Sequence, residues 1–293
     1  MVAAASAVDE PRAQRLAAED GVVLALDEYG DAHAPAVVLA HGFGQTRSAW
    51  CGTALAIART GWRAITYDAR GHGDSTRLRD GGYRVDQFVD DLRRVCAHAG
   101  NVPIVVGASM GGLVGIVVAS AEPSPCRALV LVDITPRWEA AGVARIVDFM
   151  RAHPHGFADL DEAAGAIAAY LPHRGERKSP ERLRTLLVAG TDGRLRWHWD
   201  PRMLAPIAED GERHQGDLLA AARRLRVPTL LVSGAESDVV SAATIGEFLE
   251  LVPHARHVTV PRATHMVAGD ANDAFLHHVD IFLRGIDAAT PTA

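Results

Sequence analysis

An α/β architecture is predicted for this sequence: a mostly parallel, eight-stranded sheet with helices on both faces and a helical cap inserted after the sixth strand. Three observations carry that prediction. Short apolar runs of strand length alternate with stretches of helical periodicity, the pattern of parallel strands covered on both faces. One run, Pro103-Ile104-Val105-Val106, passes directly into Gly107-Ala108-Ser109-Met110-Gly111-Gly112 and then into a helix-compatible stretch, Leu113 to Ala119. From about Pro136 to Asp217 the alternation stops and gives way to short helical segments with no convincing strand.

Taken in order, residues 1–13 and the tail from about Asp287 are rich in Ala, Pro and Thr and read as frayed ends. Val22–Tyr29 alternates apolar and polar residues, as a half-buried strand does. Ala36–Ala40 is a wholly apolar strand broken by His41-Gly42-Phe43-Gly44, and Ser48–Arg59 has helical spacing. Arg63–Tyr67 is a strand, followed by the turn-rich Asp68-Ala69-Arg70-Gly71-His72-Gly73-Asp74-Ser75. Val85–Ala99 is an amphipathic helix with Phe88, Leu92 and Val95 on one face. Beyond the serine segment, Ala128–Val132, Thr229–Val232 and Ala255–Val260 read as strands, and Thr244–Leu251 and Asn272–Leu283 as helices. The core is therefore expected at 14–135 and 218–286, and the cap at 136–217.

Composition narrows the functional classes. At 293 residues, 48% hydrophobic and 23% charged, the chain is of ordinary globular make-up and long enough for one large domain with an insertion. A net charge of -6 argues against a nucleic acid or an anionic membrane as partner. No apolar stretch approaches the ~20 residues needed to cross a bilayer. The first residues have neither the basic region nor the apolar run of a signal peptide, so a cytoplasmic location is expected. Three scattered cysteines, Cys51, Cys96 and Cys126, suit neither a disulfide framework nor a metal knuckle, and Cys96 reads as packing. No metal-binding or phosphate-cradling motif is present, and nothing calls for a cofactor.

The chemistry centres on Ser109. In strand–G-x-S-x-G–helix the turn is so tight that the residue at its apex adopts a strained backbone, and its neighbours must lack Cβ atoms. The hydroxyl is thereby presented at the C-terminal edge of the sheet, beside the N–H groups of a helix start. Serine is a poor nucleophile at neutral pH and needs a histidine base that is itself oriented by a carboxylate. Leu230-Leu231-Val232-Ser233-Gly234 leads into a loop carrying Asp238, and Val258-Thr259-Val260 leads into a loop carrying His265. The chain order Ser109, Asp238, His265 makes these the expected catalytic residues. Asp238 has two rivals: Asp133, which ends the strand after the serine, and Glu236.

A tetrahedral intermediate needs preorganised N–H donors. The expected pair is the N–H of Met110, next after the serine, and that of Phe43 in the glycine-flanked loop 41–44. His41 reads as a structural histidine bonded to that loop rather than as a base. Arg70 and Asp74 read as members of a polar network that turns the chain beneath it. Trp138, Trp197 and Trp199 are candidates for lining an apolar substrate pocket, or for the cap's own core.

With these residues assembled, the chain resembles the α/β-hydrolase fold superfamily over about residues 15–285. The marks of the resemblance are H-G-F-G at 41–44, D-A-R-G-H-G-D-S at 68–75, G-A-S-M-G-G at 107–112, Asp238 and His265. The segment around Ser109 looks most like the branch of small esterases, enol-lactonases, cofactor-free haloperoxidases (perhydrolases) and carbon–carbon bond hydrolases. Epoxide hydrolases and haloalkane dehalogenases share much of the pattern but use an aspartate nucleophile, where this sequence has serine. The resemblance implies a serine hydrolase of a small apolar ester or lactone acting through an acyl-enzyme. Perhydrolysis or carbon–carbon cleavage by the same triad is the alternative, and a non-catalytic receptor for a small molecule the distant one.

Overall fold

The computed structural model describes residues 10–170, 183–184, 186–270 and 272–288. The strands are β1 (Arg12–Ala17), β2 (Val23–Tyr29), β3 (Ala36–Ala40), β4 (Arg63–Tyr67), β5 (Ile104–Ala108), β6 (Ala128–Val132), β7 (Leu187–Ala189), β8 (Leu195–Trp197), β9 (Thr229–Gly234) and β10 (Arg256–Val260). Eight of them form one sheet in the order β1-β2-β4-β3-β5-β6-β9-β10. Only β2 runs against the rest, pairing antiparallel with β1 and β4, while every other pairing is parallel.

Alternation along these strands divides the core into two halves. Val38, Ala40, Val105, Leu129, Leu131 and Leu231 face one side, which is covered by α2 (Val85–His98), α3 (Met110–Ala119), α7 (Gln215–Arg223) and α8 (Ala242–Leu251). Val37, Leu39, Ile104, Val106, Val130 and Val232 face the other, against α1 (Cys51–Arg59) and α9 (Asn272–Ala288). Cys96 is buried in the first half, as packing, and burial raises its thiol pKa.

The cap lies between β6 and β9. Its described parts are α4 (Ala140–Arg151), α5 (Leu160–Tyr170), the β7–β8 hairpin and α6 (Leu204–Arg213); the expected cap residues 171–182 and 185 lie outside the described residues. The hairpin corrects the expectation of a cap without strands. Leu187 pairs with Trp197 and Ala189 with Leu195 across a turn closed by Gly190 N–H on Arg194 O, and three-residue strands are too short to show alternation. Two boundaries also move. β1 begins inside the stretch expected to fray, held by antiparallel pairing to β2, and α7 straddles residue 217 while placing Ala221 and Ala222 in the core. Among the described residues no helix is long and apolar enough to cross a membrane.

Candidate active site

β5 delivers Ser109 at the centre of the sheet. Its backbone has φ 49° and ψ -120°, a strained conformation for a residue with a side chain. The neighbouring glycines leave no alternative. A Cβ on Gly107 would lie 2.4 Å from the Gly111 carbonyl oxygen, and one on Gly111 would lie 2.5 Å from that of Ala40. Helix α3 therefore starts hard against the ends of β3 and β5. The loop after β3 is equally close, since a Cβ on Gly42 would sit 3.2 Å from the Ser109 Cβ.

Neighbouring strand ends bring in the other groups. Ser109 N–H bonds Val132 O at 3.2 Å, and the next residue, Asp133, bonds Val232 O through its own N–H at 2.8 Å. Asp133 has φ 50° and is fully buried. Its Oδ2 accepts from His265 Nδ1 at 2.8 Å and from the Ser237 hydroxyl, while its Oδ1 accepts from Gly234 N–H at 2.8 Å. Three donors compensate the burial of this carboxylate. The bond to His265 also fixes the imidazole tautomer, with the proton on Nδ1 and the lone pair on Nε2. His265 comes from the loop after β10, which presses on β9: a Cβ on Gly234 would meet Ala263 O at 2.4 Å.

The structure thus corrects the choice of Asp238. That residue does not reach His265. Its carboxylate accepts from Arg145 Nε of α4 at 2.8 Å and from Nη2 as well, on a part-exposed surface. The reason is local. Gly234 N–H and the Ser237 hydroxyl turn inward to Asp133, and the chain then carries Asp238 outward to the cap, where Gly142 packs on its backbone. Glu236 is exposed. Asp133 was legible only as a rival, being the residue that directly follows an apolar strand.

The loop 41–45 is organised by side chains. His41 is buried; its Nδ1 lies 2.8 Å from Gly42 O and its Nε2 accepts from Ala69 N–H at 2.9 Å. Burial lowers its pKa against the pull of Asp68, which suits a neutral structural ring and not a base. Gly42 N–H donates to Gln45 Oε1 at 3.1 Å, Gly44 N–H to His72 Nε2 at 3.2 Å and Gln45 N–H to Gly42 O at 3.1 Å. Among the described residues the N–H groups of Phe43 and Met110 have no partner, nor do the Ser109 hydroxyl and His265 Nε2. Catalytic hydrogen bonds commonly tighten only when substrate is bound.

Beneath this loop, Arg70 forms a buried two-pronged pair with Asp91, both bonds at 2.7 Å, and Arg47 joins Asp27, Asp68 and Asp74. Arg70 and Asp74 are thus part of the scaffold. The three tryptophans separate. Trp199 is buried, with its ring 6.0 Å from that of Phe43. Trp197 packs between Phe149 and Phe157 in the cap. Trp138 is half-buried on the same core half as Met110, Leu113, Val143 and Ile146.

Comparison with known proteins agrees with this geometry. A family model described as the alpha/beta hydrolase fold matches residues 35–271. The chain is 32% identical, over 83% of its length and 86% of the relative's, to a 3-hydroxybutyrate-oligomer hydrolase of Cupriavidus necator. It is 30% identical to an sn-1-specific diacylglycerol lipase of Mus musculus, over 87% of this chain and 82% of the other. The crystal structure of an E-2-(acetamidomethylene)succinate hydrolase superposes with a TM-score of 0.80 and 25% identity, covering 94% of this chain and 100% of that one. A serine on a strained strand-to-helix turn in a sheet of this order and a family match across most of the chain lead to one assignment: the protein belongs to the α/β-hydrolase fold family and is a hydrolase.

Proposed function

We propose that the protein hydrolyses a carboxylic ester or lactone of a small apolar substrate through an acyl-enzyme. The observation that carries this reading is the His265–Asp133 bond at the same sheet edge as the strained Ser109. Ser109 Oγ attacks the acyl carbon while His265 Nε2 takes its proton. Asp133 keeps the Nδ1 proton in place and stabilises the imidazolium. The carbonyl oxygen, now negative, is received by the N–H groups of Phe43 and Met110. His265 then returns the proton to the leaving alkoxide, and a water activated by the same nitrogen hydrolyses the acyl-enzyme.

Half-buried Phe43, Met110, Leu113, Trp138 and Ile146 make the surroundings apolar, which favours a small apolar acyl or alcohol group. The names of the two relatives, a hydroxy-acid oligomer hydrolase and a diacylglycerol lipase, speak for ester bonds.

The test is labelling with a fluorophosphonate probe, followed by turnover of short- and medium-chain p-nitrophenyl esters. Wild type should be labelled and active. Ser109→Ala should be unlabelled, with turnover lower by a factor on the order of a thousand or more. An unlabelled, inactive wild type or a fully active variant refutes the reading.

A further inference from the structure

We propose that His72 is a positioning residue for the oxyanion donor: by accepting the Gly44 N–H it fixes the peptide next to the one that carries the Phe43 N–H. The inference rests on the reading of Ser109 as nucleophile and of the Phe43 N–H as oxyanion donor.

In the loop 42–45 three of the four N–H groups are already engaged, and Phe43's is the one without a partner among the described residues. The peptide bearing it is held through its own carbonyl, Gly42 O, by His41 Nδ1 and Gln45 N–H. The peptide before it is held by Gln45 Oε1, and the peptide after it by His72 Nε2. Gly44 has φ 75°, so the chain turns sharply where His72 grips it. From the opposite side the cap closes in, since a Cβ on Gly44 would lie 2.8 Å from Met150 Cε and 3.7 Å from Trp199 Nε1.

His72 is equipped to act as an acceptor. Its Nδ1 lies 3.1 Å from Arg70 O, which can only accept, so the proton resides on Nδ1 and Nε2 carries the lone pair. The ring is fully buried and stands edge-on to the Phe43 ring, 5.4 Å away at 87°. Burial, with His41, His198 and Arg77 nearby, holds its pKa well below the usual histidine value, which keeps the ring neutral. A proton on Nε2 would set donor against donor at Gly44. The loop carrying His72 has independent anchors, namely Arg70 on Asp91 and the Ser75 hydroxyl on Asp68 O at 2.6 Å. Loss of the Nε2 bond alone should therefore spare the fold.

Two variants separate positioning from general structure. In His72→Gln the amide oxygen reaches the Nε2 position and keeps an acceptor for Gly44. In His72→Asn the amide can still donate to Arg70 O but no longer reaches Gly44. Each is assayed for kcat and KM on p-nitrophenyl acetate and on its thionoester, in which sulfur occupies the oxyanion position, with denaturation midpoints alongside. Expected for Asn is a kcat loss of about 10- to 100-fold with little change in KM, and a reduced preference for the oxygen ester. Expected for Gln is a kcat within about threefold of wild type. Equal losses in the two variants, or full activity in Asn, overturn the proposal.

Nitrogen-15 NMR of histidine-labelled wild type gives a reading independent of variant folding: an unprotonated, hydrogen-bonded His72 Nε2 at neutral pH is expected, and a protonated one overturns the role. Fluorophosphonate labelling of wild type tells the two failures apart. A labelled protein with no difference between Gln and Asn removes only the positioning role, whereas an unlabelled one removes the catalytic reading with it.

Discussion

The carboxylate of Asp238 is held by Arg145 of α4, while the imidazole of His265 is held by Asp133. Two aspartates on adjacent strands, each just beyond a C-terminal strand end, thus face different parts of the molecule. One looks into the sheet edge and the other out to the cap.

This division predicts unequal mutants. Asp133→Asn should lower kcat by a factor on the order of 10³–10⁴, because the amide no longer selects the Nδ1–H tautomer. Asp238→Asn should leave kcat within about threefold and cost no more than about 1 kcal/mol, since its partner Arg145 is exposed. Steady-state kinetics on one p-nitrophenyl ester decides between them, and a crippled Asp238→Asn beside an active Asp133→Asn would reverse the assignment.

Gly111→Ala tests the elbow. Its Cβ would meet the backbone oxygen of Ala40 at 2.5 Å, with no flexible side chain to yield. A loss of about 3 kcal/mol or more is expected, read as a fall in the urea midpoint, together with loss of fluorophosphonate labelling. A control at Gly52, where a Cβ meets nothing within 4 Å, should be neutral or slightly stabilising.

Stability should fall as the pH drops from 7 to 5. Burial, helped by the nearby His41, lowers the pKa of His198 to about 4, and His41 and His72 shift in the same direction. The unfolded chain takes up these protons below about 6.5 and the folded one does not, so each proton favours unfolding. The loss begins near pH 6.5 and for His198 continues to about 4. His198 alone accounts for about 2 kcal/mol between pH 7 and 5. The depressed carboxylates Glu28 and Asp200, where Arg63 and Arg202 outweigh the cost of burial, act only at lower pH. Equal urea midpoints at pH 7 and 5 would contradict this.

Trp199→Ala should cost about 3–5 kcal/mol through the cavity it leaves. It should also lower kcat if the proposed oxyanion role of Phe43 holds, because Trp199 packs on Phe43 and faces Gly44 of the 41–45 loop. Trp138→Ala, at a half-buried position, should destabilise less. Thermal melts of the two variants give the comparison.

Much of the fold is legible in the sequence because buried parallel strands such as Ala36–Ala40 and Ala128–Val132 are continuous apolar runs. Ser109 is legible because it ends such a run at a glycine-flanked turn, and His265 because it stands in the loop after the strand Arg256–Val260. Which aspartate meets His265 was not, for a physical reason: Asp133 and Asp238 both follow a core strand, and what separates them is the inward turn of Gly234 N–H and the Ser237 hydroxyl toward Asp133. The β7–β8 hairpin and β1 carry little side-chain pattern in the sequence, because they are held by backbone pairing. His72 stood in a loop read as scaffold, and its bond to Gly44 spans 28 residues that no local pattern relates.

Two of the attachments of the cap differ in kind. Near its start, the Arg145–Asp238 bridge is exposed to solvent. Near its end, Asp200 N–H bonds Gly71 O at 2.8 Å and Tyr83 Oη donates to buried Asp200 Oδ2 at 2.9 Å. Dissolved ions weaken an exposed pair and scarcely touch a buried network. Ionic strength therefore acts on one side of this molecule, weakening the Arg145–Asp238 contact near the entry to the cap while the buried Asp200 bonds keep its exit clamped to the 68–75 loop.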